Sequence, residues 1–192
     1  MVSVAFLCSG EATAQLAQAI PTKDLVEPWN RAADVIRSLR PWFDTLDERE
    51  KRQLDRELSE LDKNLAELES QEQTVAIKIV SYPEFAYVVS ESSDLMAEQL
   101  ARIENGFAGM LDVLSVSARP DASAMGASLK VLRECLSKNK GLERDVLQAL
   151  GSGSKSQIQS LAASWWEGSE SVGRLREALA TAKRELAVSA AR

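Results

Sequence analysis

Apolar residues recur along most of this chain every three or four positions, with polar and charged residues between them. The clearest run is Leu54, Leu58, Leu61, Leu65 and Leu68, spaced 4-3-4-3, and the register continues through Glu72 to Val75 and Ile79. Steps of three and four return to one face of an α-helix, so the run predicts a helix over 45–80 with a heptad seam. Glu72 is its single discord. Thr45-Leu46-Asp47-Glu48 reads as the capping box that starts this helix, Glu48 reaching back to the cap amide. Asp47–Lys51, Glu48–Arg52 and Arg56–Glu60 stand four residues apart and are expected to pair on the exposed side. A second seam, Ile158, Leu161, Trp165, Gly168, Val172, Leu175, Leu179, Ala182 and Leu186, predicts a helix over 157–188. Gly168 and Gly173 are its weak points.

A third long helix is expected over 84–116, where Phe85, Val88, Val89, Leu95, Met96, Leu100, Ile103, Phe107, Met110, Leu111 and Leu114 form a wider stripe. That width predicts a central position with several neighbours, and Gly106 and Gly109 suggest close approach of another helix. Ser81-Tyr82-Pro83 breaks the pattern before it. A hairpin is the main expectation there, and a continuous kinked helix is the alternative.

Shorter helices complete the pattern. Val26, Trp29, Ala33, Ile36 and Leu39 predict a helix from Leu25 or Pro28 to Arg40, ended by Pro41. Met125, Leu129, Leu132 and Leu136 predict one over 122–139, and Leu142 to Leu150 another. Leu16 and Ile20 share a short stretch over 11–20 that Pro21 stops. Trp29, Trp42 and Phe43 are expected in the core or at its end. The chain thus reads as all-α: an elongated antiparallel helical bundle of three long helices plus shorter ones, with coiled-coil-like heptad seams. Residues 1–21 read as an N-terminal arm with a short helix. Residues 22–192 read as a single helical-bundle domain with a flexible loop near 151–156.

Composition agrees with this. At 192 residues, 45% of them apolar, the chain can bury a core without metals or disulfides. Its net charge of −6 equals that of residues 44–73 alone, which hold eleven acids and five bases. An acidic protein repels phosphate backbones, so nucleic acid is disfavoured as a partner. The chain has no histidine. That removes the commonest metal ligand and the usual acid–base residue near neutral pH. Cys8 and Cys135 read as two reduced, buried thiols, with a single bridge as the alternative. Residues 1–10 are apolar but lack a basic n-region. Elsewhere no run approaches the roughly 18 uninterrupted apolar residues of a spanning helix. The expected location is the cytoplasm.

Few motifs carry chemistry. Gly151-Ser-Gly-Ser-Lys-Ser156 resembles a phosphate-binding loop faintly, but Ser154 stands where that loop needs glycine and the segment follows a helix instead of a strand. Ser152 and Lys155 have the spacing of a Ser–Lys nucleophile pair, yet a Gly/Ser loop does not bury the lysine as that chemistry requires. The plainer reading is a linker whose Ser154 caps the next helix. The acids of 44–73 alternate with Arg and Lys and read as a solvated face. Glu72, on the seam, is expected to pair with a base or to mark where the seam opens. Trp165 belongs to the seam, and Trp166 lies about 100° round the helix. The stripe over 103–116, interrupted by Asp112, fits a core better than a membrane span.

No catalytic, cofactor-binding or metal-binding residue is assigned. The expected function is a non-enzymatic protein–protein interaction module of bacterial type: an adaptor, regulator, inhibitor or immunity-type protein. Its partner is another protein with a basic surface, or a second copy of the chain. Trp166, Glu57, Glu60, Glu67 and Glu72 are the candidate partner-binding residues. The alternatives are a subunit of a membrane-active α-helical pore-forming toxin, the one reading that involves a membrane, and a self-assembling coiled-coil structural protein.

Overall fold

A computed structural model describes residues 22–81, 88–117, 130, 131, 134 and 155–191. Those residues are 93% helical and include no strand, so the fold is all-α. The helices are α1 (Thr22–Arg37), α2 (Arg40–Phe43), α3 (Glu48–Ser81), α4 (Val88–Ser117) and α5 (Lys155–Ala190). The arm at 1–21, the break at Pro83, the helices expected over 122–150 (apart from residues 130, 131 and 134), the 151–154 part of the loop and both cysteines lie outside the described residues.

Helix α1 starts earlier than expected and holds Pro28 inside it. Proline there removes one amide donor, which frees the carbonyl four residues back, at Asp24. Pro41 does not end this helix. The chain turns at Ser38 and Leu39, whose amides donate to Val35 O at 3.0 Å and Ile36 O at 3.1 Å. Pro41 then occupies the first turn of α2, where its missing N–H would have had no partner.

Helix α3 begins at Glu48, and its cap is Asp47, two residues beyond the expected Thr45. Asp47 Oδ1 accepts from the amides of Arg49 and Glu50, each at 2.8 Å. Glu50 Oε2 in turn accepts from the Asp47 amide at 2.8 Å. The reciprocal pair is thus Asp47-x-x-Glu50. The Thr45 hydroxyl instead donates backwards to Trp42 O at 2.7 Å. Asp and Thr are both good caps, and the turn that Trp42, Phe43 and Thr45 make decides between them.

The leucine stripe is buried throughout, from Leu54 to Leu68, with no side chain above 1% exposed. Each leucine removed from water contributes about 2 kcal/mol. Glu72, Val75 and Ala76 extend the buried stripe. Core residues from all five helices form one cluster, and Val131 packs against it. Trp29 and Phe43 are inside, while Trp42 packs at the edge.

Helix α3 packs against both α4 and α5, and α5 also packs against α1 and α2. Contacts give the directions. Along α3 and α5, Lys51 meets Ser189, whereas Asp62 and Glu69 meet Arg176. Along α3 and α4, Glu57 lies at Gly109, Leu61 at Gly106, and Glu67 at Gln99. Both pairs run antiparallel. Helix α1 runs parallel to α5, with Asn30 near Arg174 and Arg40, just beyond it, near Glu185. Among the described helices, α3 is the one that packs against two other long helices.

Candidate interaction surface

The two edges of the α3 stripe are used differently. On the α5 side, Asp62 and Glu69 are seven residues apart and present carboxylates on one face. Arg176 spans them: its Nε donates to Asp62 Oδ1 at 3.1 Å and its Nη1 to Glu69 Oε2 at 2.8 Å. The guanidinium pKa is raised, chiefly by the bond to Glu69; burial works against this, and Asp62 adds to it. The arginine therefore keeps its charge wherever the protein is handled. Beside it, a β-carbon on Gly173 would lie 3.0 Å from Glu69 Oε1. The missing side chain at Gly173 makes room for the carboxylate that the clamp holds.

On the α4 side, Gly106 faces Leu61. A β-carbon there would stand 3.4 Å from Leu61 Cδ1 and 3.7 Å from its Cα. At Gly109 it would stand 2.5 Å from Glu57 Oε2, so the Glu57 carboxylate fills the space that this glycine leaves. Further along, Gln99 Nε2 donates to Glu67 Oε2. Glu57 and Glu67, both half-buried, thus sit at the α3–α4 contact instead of on an open acidic face.

Of the other expected residues, Glu60 is exposed and Glu72 is buried at 1% exposure. Trp166 is half-buried on α5, and its indole Nε1 donates to Glu170 Oε1 at 3.1 Å. The structure therefore brings Glu57 and Glu67 to one helix contact, puts Glu72 in the core, and leaves Glu60 and Trp166 at the surface. Lys51, expected to pair with Asp47, extends its Nζ to Ser189 O at 2.9 Å, at the C-terminal end of α5. A cation suits that end of a helix.

The end of α5 is fastened a second time. The Ser189 hydroxyl lies 2.8 Å from Asp44 Oδ1 and 3.2 Å from Phe43 O. Beside it a cleft of about 190 Å³ is lined by Arg40, Phe43, Asp44, Arg184, Glu185, Val188 and Ser189. A cleft of about 140 Å³ lies between α3 and α4 near Leu95, and a hollow of about 370 Å³ lies along α1. All are shallow, and the α1 hollow is lined by that helix alone. Among the described residues no group of three or more Cys, Asp or Glu side chains is arranged to hold a metal ion. Among them, too, no helix is long and apolar enough to cross a membrane.

The Arg176 clamp was not among the expected site residues. The signal for it was present in Asp62 and Glu69, two acids one heptad apart beside a seam. The Lys51–Ser189 contact joins residues 138 positions apart and has no sequence signal. No protein-family model, curated protein or solved structure matches this chain.

Proposed function

We propose that this protein is a non-enzymatic interaction module that binds a partner protein through its helical surface. The observation that carries the reading is Trp166, a half-buried tryptophan on a long helix whose indole N–H is tied to Glu170. An aromatic side chain already fixed in one rotamer loses little entropy on docking, and tryptophan is enriched among residues that dominate binding energy. Glu60 and the partly accessible Glu57 and Glu67 add negative charge on α3, which favours a partner with a basic surface. Glu72 would join such a surface only where α3 and α4 part.

In this reading the molecule is an elongated antiparallel bundle of cytoplasmic, bacterial type. Its buried α3 stripe is a coiled-coil-like seam that keeps the outward residues in register. The partner is another protein or a second copy of the chain.

Tagged full-length chain recovered from its native host tests this. The expected result is one stoichiometric partner, or a dimer by light scattering. Recovery should fall about tenfold with Trp166→Ala, as for a residue worth over 1 kcal/mol. It should weaken with added salt in the parent, and Glu60→Lys should lower it at low salt and reduce that salt dependence. Recovery of a lone monomer at every salt concentration would sink the reading.

A further inference from the structure

The outward line of α5 is complementary to its own reverse. Trp166, Glu170, Glu177, Arg184 and Val188 fall within about 40° of one line on the helix surface, since 18 residues make five full turns. Glu170, Glu177 and Arg184 are exposed, Trp166 is half-buried, and Val188 is 57% exposed. Glu170 and Arg184 have no opposite charge beside them among the described residues. The Glu170 carboxylate receives the Trp166 indole N–H, and Arg184 donates to the Thr181 hydroxyl. Glu177 is midway, eleven residues from Trp166 and eleven from Val188. Reversing the helix about Glu177 therefore sets Trp166 on Val188 and Glu170 on Arg184. Val188 also borders the cleft of about 190 Å³ that Arg40, Phe43, Arg184 and Glu185 help to line. Arg40 and Arg184 at that cleft suit the face of an indole. Arg40 is held there only by a long ion pair to Glu185, at 3.6 Å.

We infer that the partner is a second copy of this chain, paired antiparallel along the outward face of α5 about a two-fold axis at Glu177. Such an interface is isologous, so each favourable contact is made twice. The exposed half of each Trp166 indole docks at Val188 and the cleft of the other copy. Each Glu170 meets an Arg184, which fixes the register through opposite charge. Glu177 falls on the axis and faces its own copy, an unfavourable match that makes the register testable. The net charge of −6 on each copy opposes association. Screening beyond about 8 Å leaves the local pairs to decide. A strip one helix wide and about 33 Å long is at the small end of interfaces, so the dimer is weak and reversible. This inference deepens the partner-binding reading and rests on Trp166 as its contact residue.

Sedimentation equilibrium on the full-length chain, at concentrations up to about 500 µM, tests it. The parent should show a reversible monomer–dimer equilibrium. Glu170→Arg and Arg184→Glu should each raise the dissociation constant at least about tenfold, because each sets like charges together twice. The double variant Glu170→Arg/Arg184→Glu should return it to within about threefold of the parent. Glu177→Gln should lower it by relieving the match on the axis. Trp166→Ala should raise it about tenfold. If that variant loses its helical circular dichroism, Val188→Ser probes the same contact from the exposed side with the same expected direction. A monomer at every concentration overturns the inference. So does a dimer that ignores the charge changes, a double variant no better than the singles, or a Glu177→Gln dimer no tighter than the parent. A monomer that captures a different protein through Trp166 overturns the dimer and leaves the partner-binding reading standing, whereas a monomer that captures nothing removes both.

Discussion

Arg176 on α5 donates a 2.8 Å hydrogen bond to Glu69 on α3, and Gly173, one turn before it, leaves the space that Glu69 fills. The second bond, to Asp62 at 3.1 Å, makes one guanidinium bridge two acids of α3. Its side chain is 35% exposed, so solvent screens part of the attraction. Arg176→Met should cost about 1–2 kcal/mol in urea unfolding, the range for a partly screened, charge-assisted pair whose loss leaves two part-buried acids without their cation. Arg176→Lys should recover less than half of this, because a point charge cannot reach both carboxylates in the fork geometry. Equal stability of the Met variant and the parent would show the clamp to be incidental. The raised arginine pKa sets the pH sign. So far as the arginine's own proton is concerned, the contribution is present below the ordinary arginine pKa and is lost as pH rises past the folded one.

Gly106, Gly109 and Gly173 face α3, and their neighbours predict different outcomes for alanine. At Gly106 the new β-carbon meets Leu61 at ordinary contact distance, 3.4 Å to a terminal methyl. Gly106→Ala should therefore stabilise by about 0.5–1 kcal/mol, through helix propensity and lost chain entropy. At Gly109 the clash is with the end of Glu57, which no hydrogen bond holds among the described residues and which can swing aside, so the change should be near neutral. At Gly173 the atom in the way is Glu69 Oε1, 3.0 Å off, on a side chain that Arg176 already holds. Gly173→Ala should therefore be the least favourable of the three. Thermal melting of the three variants gives the order directly, and a Gly173→Ala protein more stable than Gly106→Ala would contradict it.

The start of α3 separates two caps that look alike in sequence. Asp47→Ala removes an acceptor from two amides and should cost about 1 kcal/mol. Thr45→Ala removes only a hydroxyl that donates to a turn carbonyl, on an exposed residue, and should change stability by less than about 0.5 kcal/mol. Chemical denaturation of the two single variants decides between Thr45 and Asp47 as the cap. A larger loss at Thr45 would restore the earlier boundary.

Much of the architecture was legible in the chain. The 4-3-4-3 leucines of 54–68 are buried as their spacing required, because any α-helix places those positions on one stripe. Pro41 and Thr45 take other roles than their local pattern implies, because prolines and caps act within a turn whose path depends on its packing. Pro41 is an equally good stop and first-turn residue. In sequence the acids of α3 read as one solvated face, since mixed charge usually means solvent. Glu57, Asp62, Glu67 and Glu69 instead line helix contacts, because Gly109 and Gln99 on α4 and Gly173 and Arg176 on α5 receive them.

By itself the sequence determined that this protein is helical, where its long helices run, and which face of each is apolar. Those follow from 3.6-residue periodicity and local propensity, which involve only near neighbours along the chain. Tertiary structure alone decided that α3 has two long partners, that Lys51 reaches the end of α5, and that Arg176 bridges Asp62 and Glu69. It also decided that Glu72 lies in the core while Trp166 stays half-open. Each of these joins residues far apart in sequence, and which helices meet, and at what register, is set by packing the whole core at once.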